Sequence, residues 1–168
     1  EYRRANASVL DAFYTSPTVI DGIYKALENF GFEGGNVLEP AMGVGNFFGR
    51  MPEEMQKNSQ LYGVEIDSIS GRIAQKLYPD ADIAIQGFEK NNYQNGCFDV
   101  AVGNVPFGEL SFKDDKHGTY KLHDYFFAET LDKVKDGGIV AFVTSAGTLD
   151  KRDETTRQML ADKADFIG

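Results

Sequence analysis

Five short apolar runs recur along the chain, separated by stretches of helical periodicity, and this alternation limits the folds open to it. The runs are Asn36-Val37-Leu38-Glu39, Leu61-Tyr62-Gly63-Val64-Glu65, Ile83-Ala84-Ile85, Phe98-Asp99-Val100-Ala101-Val102 and Ile139-Val140-Ala141-Phe142-Val143. A nearly continuous apolar strand has to be covered on both faces, which is the situation of a parallel sheet with helices on either side. The pattern predicts a doubly wound α/β fold with a mainly parallel sheet. Ser16-Pro17 opens a helix whose Val19, Ile20, Ile23, Tyr24 and Leu27 recur at three- and four-residue spacing, with Gly31 and Gly34-Gly35 ending it. A second helix is expected from the glycine-rich loop after Glu39 to about Gln56. Asp67 caps a third, running to about Tyr78. An amphipathic helix follows from His123 to about Val134, and residues 153–163 look helical. The stretch from Glu109 to Leu122 reads as a polar loop, and Phe166-Ile167 as the start of a sixth strand.

At 168 residues the chain has the length of one ordinary domain with a real core. Hydrophobic residues at 42% and charged residues at 26% exclude a disordered tail or a disulfide-stapled mini-protein. The formal net charge of −9 repels phosphate backbones, so the chain is not a free-standing electrostatic binder of nucleic acid. The single Cys97 excludes an internal disulfide or a cysteine zinc cluster and fits a reducing cytosol. No run of 18 apolar residues appears and the N-terminus has no apolar signal core, so no membrane partner and a cytoplasmic location are expected. The abrupt start and stop suggest a piece of something longer.

Ligands of open α/β sheets bind beyond the carboxyl ends of the strands, at the switch in strand order. Those ends carry Glu39, Glu65, Phe88 (just past the third strand) and Asn104. In the loop Glu39-Pro40-Ala41-Met42-Gly43-Val44-Gly45-Asn46-Phe47-Phe48-Gly49, Gly43 and Gly45 permit a sharp bend and close backbone approach to a ligand. The third glycine falls one residue too late for the dinucleotide fingerprint. Glu39 would sit poorly beside a pyrophosphate and suits a cationic ligand with an ammonium group. Glu65 could accept two hydrogen bonds from a ribose diol or could simply favour a helix start.

Glu39-Pro-Ala-Met-Gly-Val-Gly-Asn-Phe47 and Asn104-Val-Pro-Phe107 resemble motifs I and IV of class I S-adenosylmethionine-dependent methyltransferases, with a Rossmann-like sheet. The match is closest to amino-methyltransferases of the N6-adenine DNA type, whose motif IV is Asn/Asp-Pro-Pro-Tyr/Phe. Phe13-Tyr14-Thr15-Ser16-Pro17 resembles their motif X, placed before motif I. Gly103-Asn-Val-Pro-Phe-Gly108 and His123-Asp-Tyr-Phe-Phe127 extend the likeness to the methylase domain of very large helicase–methylase proteins of bacterial conjugative elements. The resemblance covers about Phe13 to Leu149 and implies two further strands after Gly168, with no target-recognition domain in this chain.

The resemblance implies S-adenosylmethionine as cofactor. Glu39 would hold the methionine ammonium, Gly43 and Gly45 would line the cofactor, and Glu65 would take the ribose hydroxyls. Phe88 would pack on adenine, with core packing as its alternative. Tyr14, Thr15 and Ser16 would close over the methionine end, and Ala41, Phe47 and Ile66 complete the cofactor set. The Asn104 side-chain oxygen and the Val105 carbonyl would accept hydrogen bonds from the exocyclic amine of adenine, stabilising the charge that develops as its nitrogen attacks the methyl. Pro106 belongs to the same turn, and Phe107 would stack on a base flipped out of the duplex. Val105 departs from the family's usual proline: it keeps the carbonyl and gives up the fixed φ. No metal is required. DNA is the expected partner, gripped mainly by other segments, and oligomeric state is not legible. A glutamine side chain or an RNA amine remains open as acceptor, as does a degenerate fold serving as an interaction module.

Overall fold

The computed structural model describes residues 14–106, 111–114, 118–145, 148, 150 and 154–167, with backbone alone at 111–114, 118–120 and 155. Phe13, Phe107 and Gly108 therefore lie outside the described residues. Five parallel strands form one sheet: β1 (Asn36–Glu39), β2 (Gln60–Glu65), β3 (Asp82–Ile85), β4 (Phe98–Asn104) and β7 (Val134–Val143). Their order is β3-β2-β1-β4-β7. The chain thus winds outward from β1 to β3 and then returns to place β4 on the other side of β1. The switch in direction lies between β1 and β4, where Val37 pairs with Val100 and Leu38 with Ala101.

Alternation along the strands splits the core in two. Val37, Val100 and Val102 face one side, packed with Ile20, Tyr24 and Leu27 of α1 (Pro17–Asn29), Met55 of α2 (Glu53–Lys57) and Ala74 of α3 (Ser68–Leu77). Leu38, Val64 and Ala101 face the other side, against Tyr125 and Phe126 of α4 (Leu122–Lys133). Helices cover both faces, as the apolar runs require. The last helix, α5 (Thr155–Lys163), follows β7.

Four expectations need correction. The helix predicted to reach Gln56 is broken into a 3-10 turn, Phe48–Arg50, and the short α2. Pro52 lies between them, and the residue before a proline is pushed out of the helical region; Met51 sits at φ −60°, ψ 133°. The predicted polar loop contains an antiparallel hairpin of β5 (Ser111–Asp114) and β6 (Gly118–Lys121), whose register sets Phe112 opposite Tyr120. Phe112 and Tyr120 each stand between polar residues with the two-residue period of a strand, a signal hidden by the surrounding charges. The helix α4 is not amphipathic in the ordinary sense, because His123, Asp124, Glu129 and Lys133 are buried along with its apolar residues. Finally, Phe166 and Ile167 form no strand and are exposed. Among the described residues no helix is long and apolar enough to cross a membrane, and no group of three metal-ligating side chains occurs.

Candidate functional site

The carboxyl ends of β1, β2 and β4 meet at the switch point, and the loop after β1 (residues 40–47) closes over them. Its path is fixed from several directions. Met42 donates its N–H to the Val64 carbonyl at 3.0 Å, tying the loop to β2. The Glu65 carboxylate accepts the Gly43 N–H at 2.7 Å with one oxygen and the Asp67 N–H at 2.7 Å with the other. On the far side, Tyr24 donates to the Phe47 carbonyl at 2.9 Å and Tyr78 to the Gly45 carbonyl at 2.7 Å. In the sequence Tyr24 reads as part of an apolar helix face and Tyr78 only as the end of a helix; a buried phenol needs a partner for its hydroxyl, and this requirement was the available signal.

The two loop glycines do different things. Gly45 sits at φ +85°, and a Cβ there would lie 2.4 Å from Cε2 of Tyr78, so only glycine fits under that ring. Gly43, at φ +57°, would carry its Cβ into open space, with nothing within 4 Å. Its surroundings leave room for a ligand to come against bare backbone.

Glu39 is 2% exposed, and its Oε2 has no hydrogen-bond partner. Its Cγ lies 3.6 Å from the position a Cβ on Gly103 would take, which puts it at the β1–β4 junction beside Asn104. Burial pushes its carboxyl well above the ordinary range, the Glu65 charge adds to the rise, and the backbone N–H groups of Phe48 and Phe47 oppose it. Glu65 is also raised, chiefly by burial and against the pull of the Asp67 and Gly43 N–H bonds. The Ile66 N–H also lowers it, and a carboxylate has about four lone-pair sites, more than these three donors use.

Asn104 ends β4 opposite Val143 of β7 and is half-buried. Val105 is fully buried and donates its N–H to the Val143 carbonyl at 3.2 Å. Proline could not make that bond. The stiffness lost with the fixed φ is thus replaced by one more rung of the β4–β7 ladder, and the Val105 carbonyl stays in place beside Asn104.

The remaining predicted residues divide. Thr15 comes to the rim of the loop, sharing a cleft of about 380 Å³ with Asn46, Gly49, Arg50 and Tyr78. Ser16 caps the start of α1, where its carbonyl accepts the Val19 and Ile20 N–H groups. Tyr14 and Ile66 are exposed at 67% and 75%. Ala41 is partly buried against the α4-side core, and Phe47 lies in the core on the opposite face. Phe88 is 3% exposed and stacks on Phe126 of α4 at 5.2 Å, at the β2–β3 side of the switch. Sequence reasoning missed the polar lock behind it: Asn91 donates to the Phe88 carbonyl at 2.7 Å and to Glu129 at 3.1 Å, while Lys133 reaches the Tyr93 carbonyl at 2.7 Å.

No protein-family profile matches the chain. It is 31% identical over 163 residues to the defense against restriction protein B of Escherichia phage P1, covering 93% of this chain but 7% of that protein. It is 28% identical over 138 residues to the modification methylase CviBIII of Paramecium bursaria Chlorella virus NC1A, covering 78% of this chain and 36% of that one. The chain therefore spans well under half the length of these curated relatives. Among solved structures, the methyltransferase subunit of a type I restriction-modification system from Streptococcus thermophilus superposes with a TM-score of 0.71 at 14% identity, over 90% of this chain and 39% of that one. A solved S-adenosylmethionine-dependent O-methyltransferase of Thermotoga maritima superposes at 0.60 with 12% identity, over 93% of this chain and 53% of that one. The chain has the fold of the S-adenosylmethionine-dependent methyltransferases. In this fold Glu39 lies at the junction of β1 and β4 against Gly103, and Asn104 follows Gly103 at the end of β4. The unpartnered buried oxygen of Glu39 and the open backbone at Gly43 fit a ligand that brings a positive charge and needs close approach.

Proposed function

We propose that this methyltransferase domain uses S-adenosylmethionine to methylate the exocyclic N6 amine of adenine in DNA. The observation that carries the reading is the placement of Asn104 and the Val105 carbonyl at the end of β4, next to Glu39 at the switch point. The cofactor supplies an electrophilic methyl group. Glu39 receives the cationic end of the amino acid, Glu65 offers its remaining lone pairs to the ribose diol, and the Gly43–Gly45 backbone lies along the ligand. Tyr14, Thr15 and Ser16 border the amino-acid end, and Ala41, Phe47, Ile66 and Phe88 shape the walls. The acceptor amine is a poor nucleophile, because its lone pair is delocalised into the ring. Two oxygen acceptors, Asn104 Oδ1 and the Val105 carbonyl, polarise both N–H bonds and stabilise positive charge developing on nitrogen. Pro106 follows the end of the strand, and Phe107, which lies outside the described residues, is the aromatic residue proposed to stack on a base drawn out of the duplex. The names of the viral modification methylase and the restriction-modification subunit support DNA as the acceptor.

The test is transfer of a labelled methyl group to adenine-containing DNA, followed by digestion to nucleosides. N6-methyladenine is expected with the native chain, and Asn104→Ala should lower its rate by roughly 10²–10³, the effect of removing one aimed polar group from a transition state. Label on RNA or on glutamine peptides with none in DNA would replace the acceptor. Equal rates for the two proteins would remove Asn104 from the mechanism.

A further inference from the structure

Glu39 is a buried carboxyl that meets no positive charge among the described residues. The groups that face it come from every element packed around it. Glu65 approaches from the end of β2, Tyr24 from α1 and Tyr78 from the segment after α3, each coupled to it electrostatically. The Phe47 and Phe48 N–H groups come from the loop, and the Gly103 backbone from β4. Two of these neighbours are phenols, themselves raised by burial and by the Glu39 charge, so they stay neutral. The third is a carboxylate that repels a second negative charge. Among the described residues no Lys, Arg or His forms an ion pair with Glu39, and its Oε2 accepts no hydrogen bond.

A carboxylate stripped of water without a partner costs far more than the neutral acid. The two oxygens also differ. One side of the group meets the loop's N–H donors, whereas Oε2 is left for a hydrogen of its own or for a cation. Proton and ammonium are alternative occupants of one oxygen. We propose that Glu39 carries a proton before ligand binds and releases it to solvent when the ligand's ammonium group takes its place. The O–H bond of the acid breaks, the proton passes to buffer, and the carboxylate pairs with the incoming cation, so charge within the pocket is conserved. Binding at this site is then an exchange of one cation for another, and affinity depends on pH through a single group. The inference rests on the cofactor reading above and adds to it a proton count that the reading alone does not require.

Titration calorimetry of the 168-residue chain in buffers of different ionisation enthalpy counts the protons released. Three probes separate the ligand's parts: S-adenosylmethionine, S-adenosylhomocysteine, which keeps the ammonium without the sulfonium, and methylthioadenosine, which has neither. A pH near 6.5 keeps the probes' amine charged, since an ordinary α-amine titrates at roughly 7.7–8.0. Below the pKa of Glu39 in the ligand-free chain, the first two probes should each release about one proton, and their affinity should rise about tenfold per pH unit. Methylthioadenosine should bind with no release. Glu39→Gln, which copies the shape of the neutral acid, should melt as the native protein does near pH 5 and abolish the release. Binding of all three with no dependence on buffer would overturn the exchange and leave the cofactor reading standing. So would equal release from methylthioadenosine, or release that survives in the folded Glu39→Gln variant. Failure of all three probes to bind would overturn the cofactor reading itself, and this inference with it.

Discussion

The stability of the folded chain should bear the mark of Glu39 even without ligand. Its carboxyl is raised in the folded state above the ordinary value of 4.5, so the fold binds this proton more tightly than the unfolded chain does. The group's contribution is therefore fully present below the unfolded pKa and is lost as pH rises through the folded one. Carboxylates whose pKa the fold lowers run the opposite way. Asp67, for example, is lowered by the Ser70 N–H that it caps, and so gains stability for the fold as pH rises. Comparing the native chain with Glu39→Gln isolates the one group. The two should have similar melting temperatures near pH 4.5, and the variant should become the more stable as pH climbs toward 8. A constant difference across that range would mean that Glu39 stays ionised in the fold.

At the level of elements, the loop after β3 and the helix α4 are joined by a polar lock instead of apolar packing alone. Lys133 and Glu129 form an ion pair at 3.3 Å with both side chains more than nine-tenths buried, one turn apart on α4. Lys133 also donates to the Tyr93 carbonyl and to Asn95 Oδ1, and Glu129 accepts from Asn91. Removing one member leaves a buried charge without its counter-ion, which typically costs about 3–5 kcal/mol. Lys133→Ala should fall toward the lower end of that range, because Asn91 still donates to Glu129. Chemical denaturation measures it, and a loss below about 1 kcal/mol would show that solvent reaches the pair. None of this was legible in the sequence, where a Glu and a Lys four residues apart look like a solvated helix face. The strands were legible, because five nearly continuous apolar runs admit few other readings. So were Glu39, Glu65 and Asn104, since each stands at the end of such a run. Helix breaks and the hairpin were not, for these depend on what Pro52 forbids and on which charges the tertiary fold turns inward.

For the molecule as a whole, the sheet order gathers the carboxyl ends of β1, β2 and β4, with Glu39, Glu65 and Asn104, on one side of the sheet, while the chain carries a formal charge of −9. These two facts pull apart for a domain proposed to act on DNA. A chain with this net charge does not attract a polyanion over distance. A domain this acidic cannot release many counterions from the duplex, and counterion release supplies nearly all non-specific affinity. The chain alone should therefore bind duplex DNA no more tightly than about 10⁻⁴ M near physiological salt, the weak end of non-specific binding. Anisotropy of a labelled duplex, titrated with the chain between 50 and 200 mM salt, reads this directly. A micromolar Kd that weakens steeply with salt would mean that the lysines gather into a patch strong enough to override the net charge. Weak, salt-insensitive binding together with intact cofactor binding would divide the labour: this domain holds the methyl donor and polarises the amine, while the grip on DNA comes from a different, basic surface. That division accords with relatives in which the matched region is 7% and 36% of the length.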